Sequence, residues 1–122
     1  MIRLPFRKLI IWQKGMTIAR LVHEQTKVFP DEERYGLKSQ MRASAYSVPS
    51  NIAEGSQRTT DKDFANFIQI AKGSLAELET QAILAKEFAY VSLEQSNLLL
   101  KEIDEQSKML RVFHSKLLPA TH

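Results

Sequence analysis

Between residues 64 and 89, Phe64, Ile68, Ala71, Leu75, Leu78, Ala82, Ala85 and Ala89 fall in steps that alternate between four and three. This is the heptad spacing of a helix that buries one seam along its length. A strand sends alternate side chains to opposite faces and cannot keep such a pattern on one side. A second apolar stripe, Phe67, Ile70, Leu84 and Phe88, runs beside the first. Thr60 or Asp61 supplies an N-cap, and Asp63 suits the positive end of the helix dipole. A helix is therefore expected over about 61–88.

A seam of that length needs partners, and the rest of the chain supplies them. Residues 7–28 carry Trp12, Met16 and Ala19 on one stripe and Ile11, Ile18 and Val22 on the next. Pro30 cannot continue that helix, whereas Asp31, Glu32 and Glu33 suit the first turn of another. The second helix is expected over 32–55, with Leu37 an alternative start. The fourth, over 93–117, opens on SLEQ, a Ser-x-x-Gln capping box. Its stripe is Leu99, Ile103, Leu110, Phe113 and Leu117, interrupted by Gln106 and closed by Pro119. Strand signals are nearly absent. Four long helices with short connections predict an all-α, antiparallel up-down four-helix bundle, one domain over 1–122.

The stretch SVPSNIAEGSQR, residues 47–58, is the one place where that scheme is strained. Pro49 removes an N–H and frees the Ala45 carbonyl one turn earlier. Yet Leu37, Met41, Ala45, Val48 and Ile52 keep their spacing straight through it, which favours a kinked helix over a loop. Ser44, Ser47, Ser50 and Asn51 are placed to bond the freed backbone. Glu54 and Arg58 stand i,i+4 and suit an ion pair. Gly55 fits a left-handed C-terminal cap.

No catalytic constellation accompanies this stretch. There is no cysteine, so no disulfide and no thiolate chemistry. No glycine-rich loop cradles a phosphate, and no His-Glu-x-x-His or Glu-x-x-His pair provides a metal set. His23 and His114 lie on different helices, and His122 is terminal. Glu77 and Glu79 flank the seam; Glu77 is expected to pair with Arg42 of the second helix rather than to act as an acid or base. No enzymatic activity, metal or cofactor is expected. No apolar run approaches the roughly 20 residues that span a bilayer. The N-terminal MIRLPFRKLIIW lacks the long apolar region and cleavage site of a signal peptide. The expected setting is the cytoplasm, away from membranes.

Charge gives the one hint of a partner. The chain carries a net +3. Residues 1–30 hold Arg3, Arg7, Lys8, Lys14, Arg20 and Lys27 against Glu24 alone. Arg34, Lys38 and Arg42 form a further basic stripe with i,i+4 spacing on the second helix. Such a stripe is ordinarily a solvated face, but beside a basic N-terminal segment it suits a phosphate backbone.

The blocks WQKG (12–15), FPDEERYGLKSQMR (29–42), SVPSNIAEGSQR (47–58) and FANFIQIAKGSLAELETQ (64–81) together resemble the 23S rRNA intervening-sequence proteins. The resemblance covers roughly residues 8–117. Ser44 and Tyr46 depart from a stretch that is more basic and aliphatic in the family. The resemblance implies a four-helix protomer assembled as a homopentamer. It also implies kinship with the accessory variability protein of diversity-generating retroelements, which binds nucleic acid and a reverse transcriptase through a basic pentameric surface. The surplus apolar stripes of the first and third helices suit a subunit interface. The leading expectation is a non-enzymatic homo-oligomeric scaffold that binds RNA or DNA through Arg3, Arg7, Lys8, Lys14, Lys38 and Arg42. The alternative is a module that binds a protein partner and no nucleic acid. Pro49, Asn51, Glu54, Gly55, Glu77 and Glu79 are expected to be architectural.

Overall fold

The computed structural model describes residues 3–119. A 3-10 turn, Phe6–Lys8, leads into α1, Ile10–Thr26; a second, Asp31–Glu33, leads into α2, Leu37–Ser56; α3 is Asp61–Glu87 and α4 is Leu93–Leu117. No strand occurs among the described residues.

The heptad seam of α3 is the spine of the core. Ile68, Ala71 and Leu78 are wholly buried, and Phe64, Leu75, Ala82 and Ala85 nearly so. Ile18 and Val22 of α1, Met41 and Ile52 of α2, and Leu99, Ile103 and Leu110 of α4 close around it. Apolar burial of this kind is the main favourable term in folding. Each helix packs against two others: α2 against α1 and α3, and α4 against α3 and α1. Partners on neighbouring helices run in opposite order. On α1 and α2, Gly15 meets Pro49, whereas Thr26 meets Arg42. On α2 and α3, Gly55 meets Phe67 and Ser47 meets Ser74. On α1 and α4, Lys14 meets Glu102 and Gln25 meets the Gln95 carbonyl.

Caps set the boundaries. Thr60 Oγ1 accepts from the Asp63 N–H at 3.1 Å, so Thr60 rather than Asp61 is the N-cap of α3. Ser92 and Gln95 form both halves of the expected capping box at the start of α4. One start falls later than the sequence suggests, and another takes the later of its two stated alternatives. Leu9 is extended and separates the first 3-10 turn from α1, which therefore begins at Ile10 and not near residue 7. α2 begins at Leu37 and not at 32, because Gly36 is non-helical. There the Glu33 carboxylate caps from outside, with Oε1 accepting from the Leu37 N–H at 3.1 Å and Oε2 from the Tyr90 hydroxyl at 2.8 Å. These bonds hold the Glu33 carboxyl below its ordinary value, the Leu37 bond contributing most.

α2 does run through Pro49, as its apolar register requires. The expected repair of the break is different in detail. Ser50 Oγ donates to the Tyr46 carbonyl at 2.8 Å, and Asn51 Nδ2 donates to the Ser47 carbonyl at 2.8 Å. The polar side chains thus serve the carbonyls just after Ala45. Ser47 Oγ also meets Ser74 Oγ at 2.9 Å, tying the turn to α3. Glu54 and Arg58 form the expected pair at 3.0 Å.

Gly55 is not a left-handed cap. It is helical, and no described glycine has positive φ. Its role is close approach: a Cβ there would lie 2.6 Å from Phe67 Cβ and 2.9 Å from Phe64 Cδ1. The residue that does take a left-handed conformation is Ala89, at φ 60°. Ala89 therefore leaves the helix that its place in the heptad suggests. Its N–H bonds to the Lys86 carbonyl and the Tyr90 N–H to the Ala85 carbonyl, both at 3.0 Å. These are the paired bonds of a Schellman ending, built on alanine where glycine is usual.

Candidate nucleic-acid interface and an apolar groove

The six cations expected to meet phosphate divide into two groups. Arg3, Lys14 and Arg42 are used inside the molecule. Arg3 donates through Nη1 to the Ser56 carbonyl at 3.2 Å and to the Arg58 carbonyl, and through Nη2 to Asp61 at 2.8 Å. Its guanidinium also lies over the Phe64 ring at 5.0 Å. A cation at the carbonyl end of α2 is favourable for the helix dipole. Arg3 thus fastens the N-terminal segment to the α2–α3 turn.

Arg42 does the corresponding work for α1. Nε donates to Thr26 Oγ1 at 2.8 Å and Nη2 to the His23 carbonyl at 3.0 Å. It therefore turns toward α1 and not toward α3. Its expected pairing with Glu77 does not form, and Glu77 and Glu79 are both exposed on α3. The error lies in rotation: helical spacing assigns residues to a face but does not fix which neighbour that face meets.

Lys14 lies between Glu102 and Glu105 of α4, bonded to both, with Glu105 Oε2 at 2.7 Å. Burial pulls the Lys14 pKa down, but the hydrogen bonds and charges of the two carboxylates together push it above its ordinary value. The same Lys14 bond holds Glu105 below the usual carboxylate range. Lys14 is a clamp between α1 and α4.

The second group is available. Arg7 and Lys8 are exposed on the first 3-10 turn and Lys38 is half-buried near the start of α2; none has an ion pair among the described residues. Arg20 and Arg34 are likewise exposed and unpaired there. Net charge alone did not separate the two groups, since that depends on which carboxylates and carbonyls the packing brings near.

Between α1 and α2 lies a groove of about 520 Å³. Trp12, Met16 and Ala19 form its α1 wall and Tyr46, Pro49 and Ala53 its α2 wall, with Arg20, His23 and Ser50 on the exposed rim. The α1 stripe was legible in the sequence as apolar spacing; the groove was not, because it arises where that stripe meets the proline turn. Gly15 lets the helices approach closely there, since a Cβ on it would lie 3.3 Å from Pro49 Cβ and Cδ. Phe6 packs edge-on against Trp12 with ring centroids 5.3 Å apart, which brings the Arg7–Lys8 turn to one end of the groove. At the other end His23 Nδ1 lies 3.1 Å from the Tyr46 hydroxyl, next to Arg42. Among the described residues no carboxylate lines the groove.

No group of three His, Asp or Glu residues converges as a metal centre among the described residues. His23 and His114 are not part of such a cluster, and His122 lies outside the described residues. No described helix is long and apolar enough to cross a membrane.

Comparison with known proteins bears on the fold and the family. A crystal structure of a protein of unknown function from the S23 ribosomal protein family of Bacteroides thetaiotaomicron superposes with a TM-score of 0.78 at 24% identity, covering 86% of this chain and 98% of that one. It shares the fold. A search of curated proteins gives no match. The sequence model of the 23S rRNA-intervening sequence protein family matches residues 7–112, and the chain belongs to that family.

Proposed function

We propose that this protein is a non-enzymatic scaffold that binds structured nucleic acid through exposed cations, as an assembly of up-down four-helix protomers. The observation that carries the reading is the set of cations, unpaired among the described residues, on α1, α2 and the turns that precede them: exposed Arg7, Lys8, Arg20 and Arg34, with half-buried Lys38. Phosphate contacts of this kind supply sequence-independent affinity that falls with salt. Repetition around a homo-oligomer, a pentamer in this proposal, multiplies weak contacts by avidity. Exposed Ile70 and Phe88, 51% and 52% accessible on α3 and its C-cap, suit the contact between protomers. The kinship with the accessory variability protein of diversity-generating retroelements belongs to the same proposal.

The same exposed Ile70 and Phe88 favour a second reading, a module that docks a protein partner such as a reverse transcriptase and ignores nucleic acid. Fluorescence anisotropy against a labelled RNA hairpin and a matching DNA duplex, at two salt concentrations, separates the two. Tight binding that weakens with salt supports the scaffold; no binding at low salt favours the protein-partner module. Sedimentation equilibrium of the purified chain tests assembly, and a monomer at every concentration overturns that part.

A further inference from the structure

The two ends of the bundle both expose apolar side chains, set among charges of opposite sign. Where α1 begins and α4 finishes, Leu4, Ile10, Val112 and Leu118 are exposed, Ile10 by 69%. Leu4 and Val112 line two adjoining apolar hollows of about 240 and 390 Å³ that share Phe113 and Lys116. Ile10 and Leu118 follow the half-buried Leu9 and Leu117 in the chain, which line the smaller hollow. Arg7, Lys8, Arg111 and Lys116 are exposed at this end with no ion pair among the described residues. Asp61 is held there by Arg3 and Asp104 by Lys108. At the opposite end Val28, Tyr35 and Leu93 are exposed, Tyr35 by 87%. They surround Tyr90. Its ring packs on Phe29, next to Val28, at 5.2 Å, and its hydroxyl bonds to Glu33, close to Tyr35 in the chain; Leu93 opens α4 shortly after it. Asp31, Glu32, Glu87 and Glu94 are exposed at this end and unpaired among the described residues, against Arg34 and Lys86. Lys27 is already taken by Glu24.

Exposed apolar surface at both ends calls for a cover at both. Two like ends in contact would set cation against cation or carboxylate against carboxylate, which is costly. An anionic lipid surface or a phosphate backbone suits the basic end alone and leaves Val28, Tyr35 and Leu93 in water. A second copy of the chain answers both ends at once, since each end carries what the other lacks. We propose that the acidic end of one copy docks on the basic end of the next, with Val28, Tyr35 and Leu93 covering the hollows beside Phe113, and Asp31, Glu32 and Glu94 facing Arg7, Lys8, Arg111 and Lys116. Such a contact is heterologous, so every docked pair keeps one free end of each kind and continues as a stack. It goes beyond the assembly proposed above, whose protomer contact runs along α3.

Sedimentation velocity of the full chain over a range of concentrations, at low and at high salt, tests the contact. At low salt the mean mass of the wild-type protein is expected to grow with concentration, and added salt should reduce that growth by screening the charges. Two double variants each disable one end: Val28→Ser with Tyr35→Ser, and Ile10→Gln with Val112→Gln. All four positions are exposed, so melting temperatures should stay near wild type. Each pair of substitutions should weaken the contact by about tenfold or more, the range expected when two apolar side chains are removed from an interface. Each variant retains the end that the other has lost. An equimolar mixture should therefore form one contact and stop, doubling the mass of the unit that either variant forms alone. A contact between two like ends cannot be rescued by mixing in this way.

Growth that survives either double variant overturns the proposal, as does a mixture that stays apart while the wild-type protein grows. Flotation with phosphatidylglycerol vesicles adds a further check: binding that is lost in Ile10→Gln with Val112→Gln, by a protein whose mass does not grow, assigns the basic end to a lipid surface instead. A constant mass above that of one chain sinks the end contact and leaves the assembly along α3 standing. A monomer at every concentration sinks both.

Discussion

Gly15 and Pro49 hold α1 and α2 at touching distance, where a Cβ on Gly15 would lie 3.3 Å from both the Cβ and the Cδ of the proline. The ring is buried and fixed within a helix, so it yields little. In Gly15→Ala the gain in helix propensity, about 1 kcal/mol, is outweighed by overpacking of about 1–3 kcal/mol. A net loss of about 1 kcal/mol in urea denaturation is expected. In a Pro49→Ala background the Cδ is gone and the helix N–H is restored, so the loss should shrink. The two substitutions should be non-additive; additivity, or a stabilised Gly15→Ala, counts against the close approach.

Gly55 and Gly73 make an internal comparison. Both are helical, yet an added Cβ meets Phe67 Cβ at 2.6 Å in one case and nothing within 4 Å in the other. Gly73→Ala should stabilise by about 1 kcal/mol through propensity alone. Gly55→Ala should destabilise by about 2 kcal/mol, because α2 and α3 must part. Thermal melts of the two variants settle it, and shifts of the same sign would contradict the packing described.

Ala89 sits at φ 60° in the Schellman ending of α3. A left-handed conformation costs an L-residue about 1–2 kcal/mol that glycine does not bear. Ala89→Gly, at an exposed site, should therefore raise stability by about 1 kcal/mol, with the melting temperature rising accordingly. A lower melting temperature would mean that α3 ends differently.

These glycines and this alanine also mark the limit of what a single sequence discloses. The heptad seam, the capping box at Ser92 and the register through Pro49 are local patterns, and each is realised. Gly55 near a helix end reads the same whether it turns the chain or admits a phenylalanine, and only packing distinguishes the two. Ala89 continues a heptad and so reads as helix; its left-handed turn is imposed by the chain's reversal into α4. The site divides in the same way. Basic residues were visible as charges, but Arg3 and Arg42 are consumed by helix C-termini and Lys14 by two carboxylates far away in sequence. The groove, with Arg20 on its rim, needed the relative placement of α1 and α2.

The Lys14 clamp should give stability a definite pH dependence. The folded-state pKa of Lys14 is raised, so its contribution is fully present below the ordinary value of 10.5 and is lost as pH rises through the folded value. Glu105 is lowered by the same bond, so its contribution is present above the ordinary value of 4.5 and is lost as pH falls through the folded value. Lys14→Met should flatten part of the alkaline limb and part of the acid limb of a plot of melting temperature against pH, the raised Tyr90 keeping its own alkaline contribution. Glu33, also lowered, retains its own acid contribution. An unchanged alkaline limb would show that the clamp does not form in solution.

The salt dependence of RNA-hairpin binding, compared between two sets of charge reversals, bears most heavily on the scaffold reading. One set reverses the available cations Arg7, Lys8 and Lys38; the other reverses the structural cations Arg3, Lys14 and Arg42. A scaffold that holds phosphate through its available cations predicts that the first set weakens binding and leaves the melting temperature near wild type. The slope of log K against log salt should also fall, by roughly one for each phosphate no longer neutralised. The second set should chiefly lower the melting temperature. Binding by the first set with unchanged affinity and slope would contradict it.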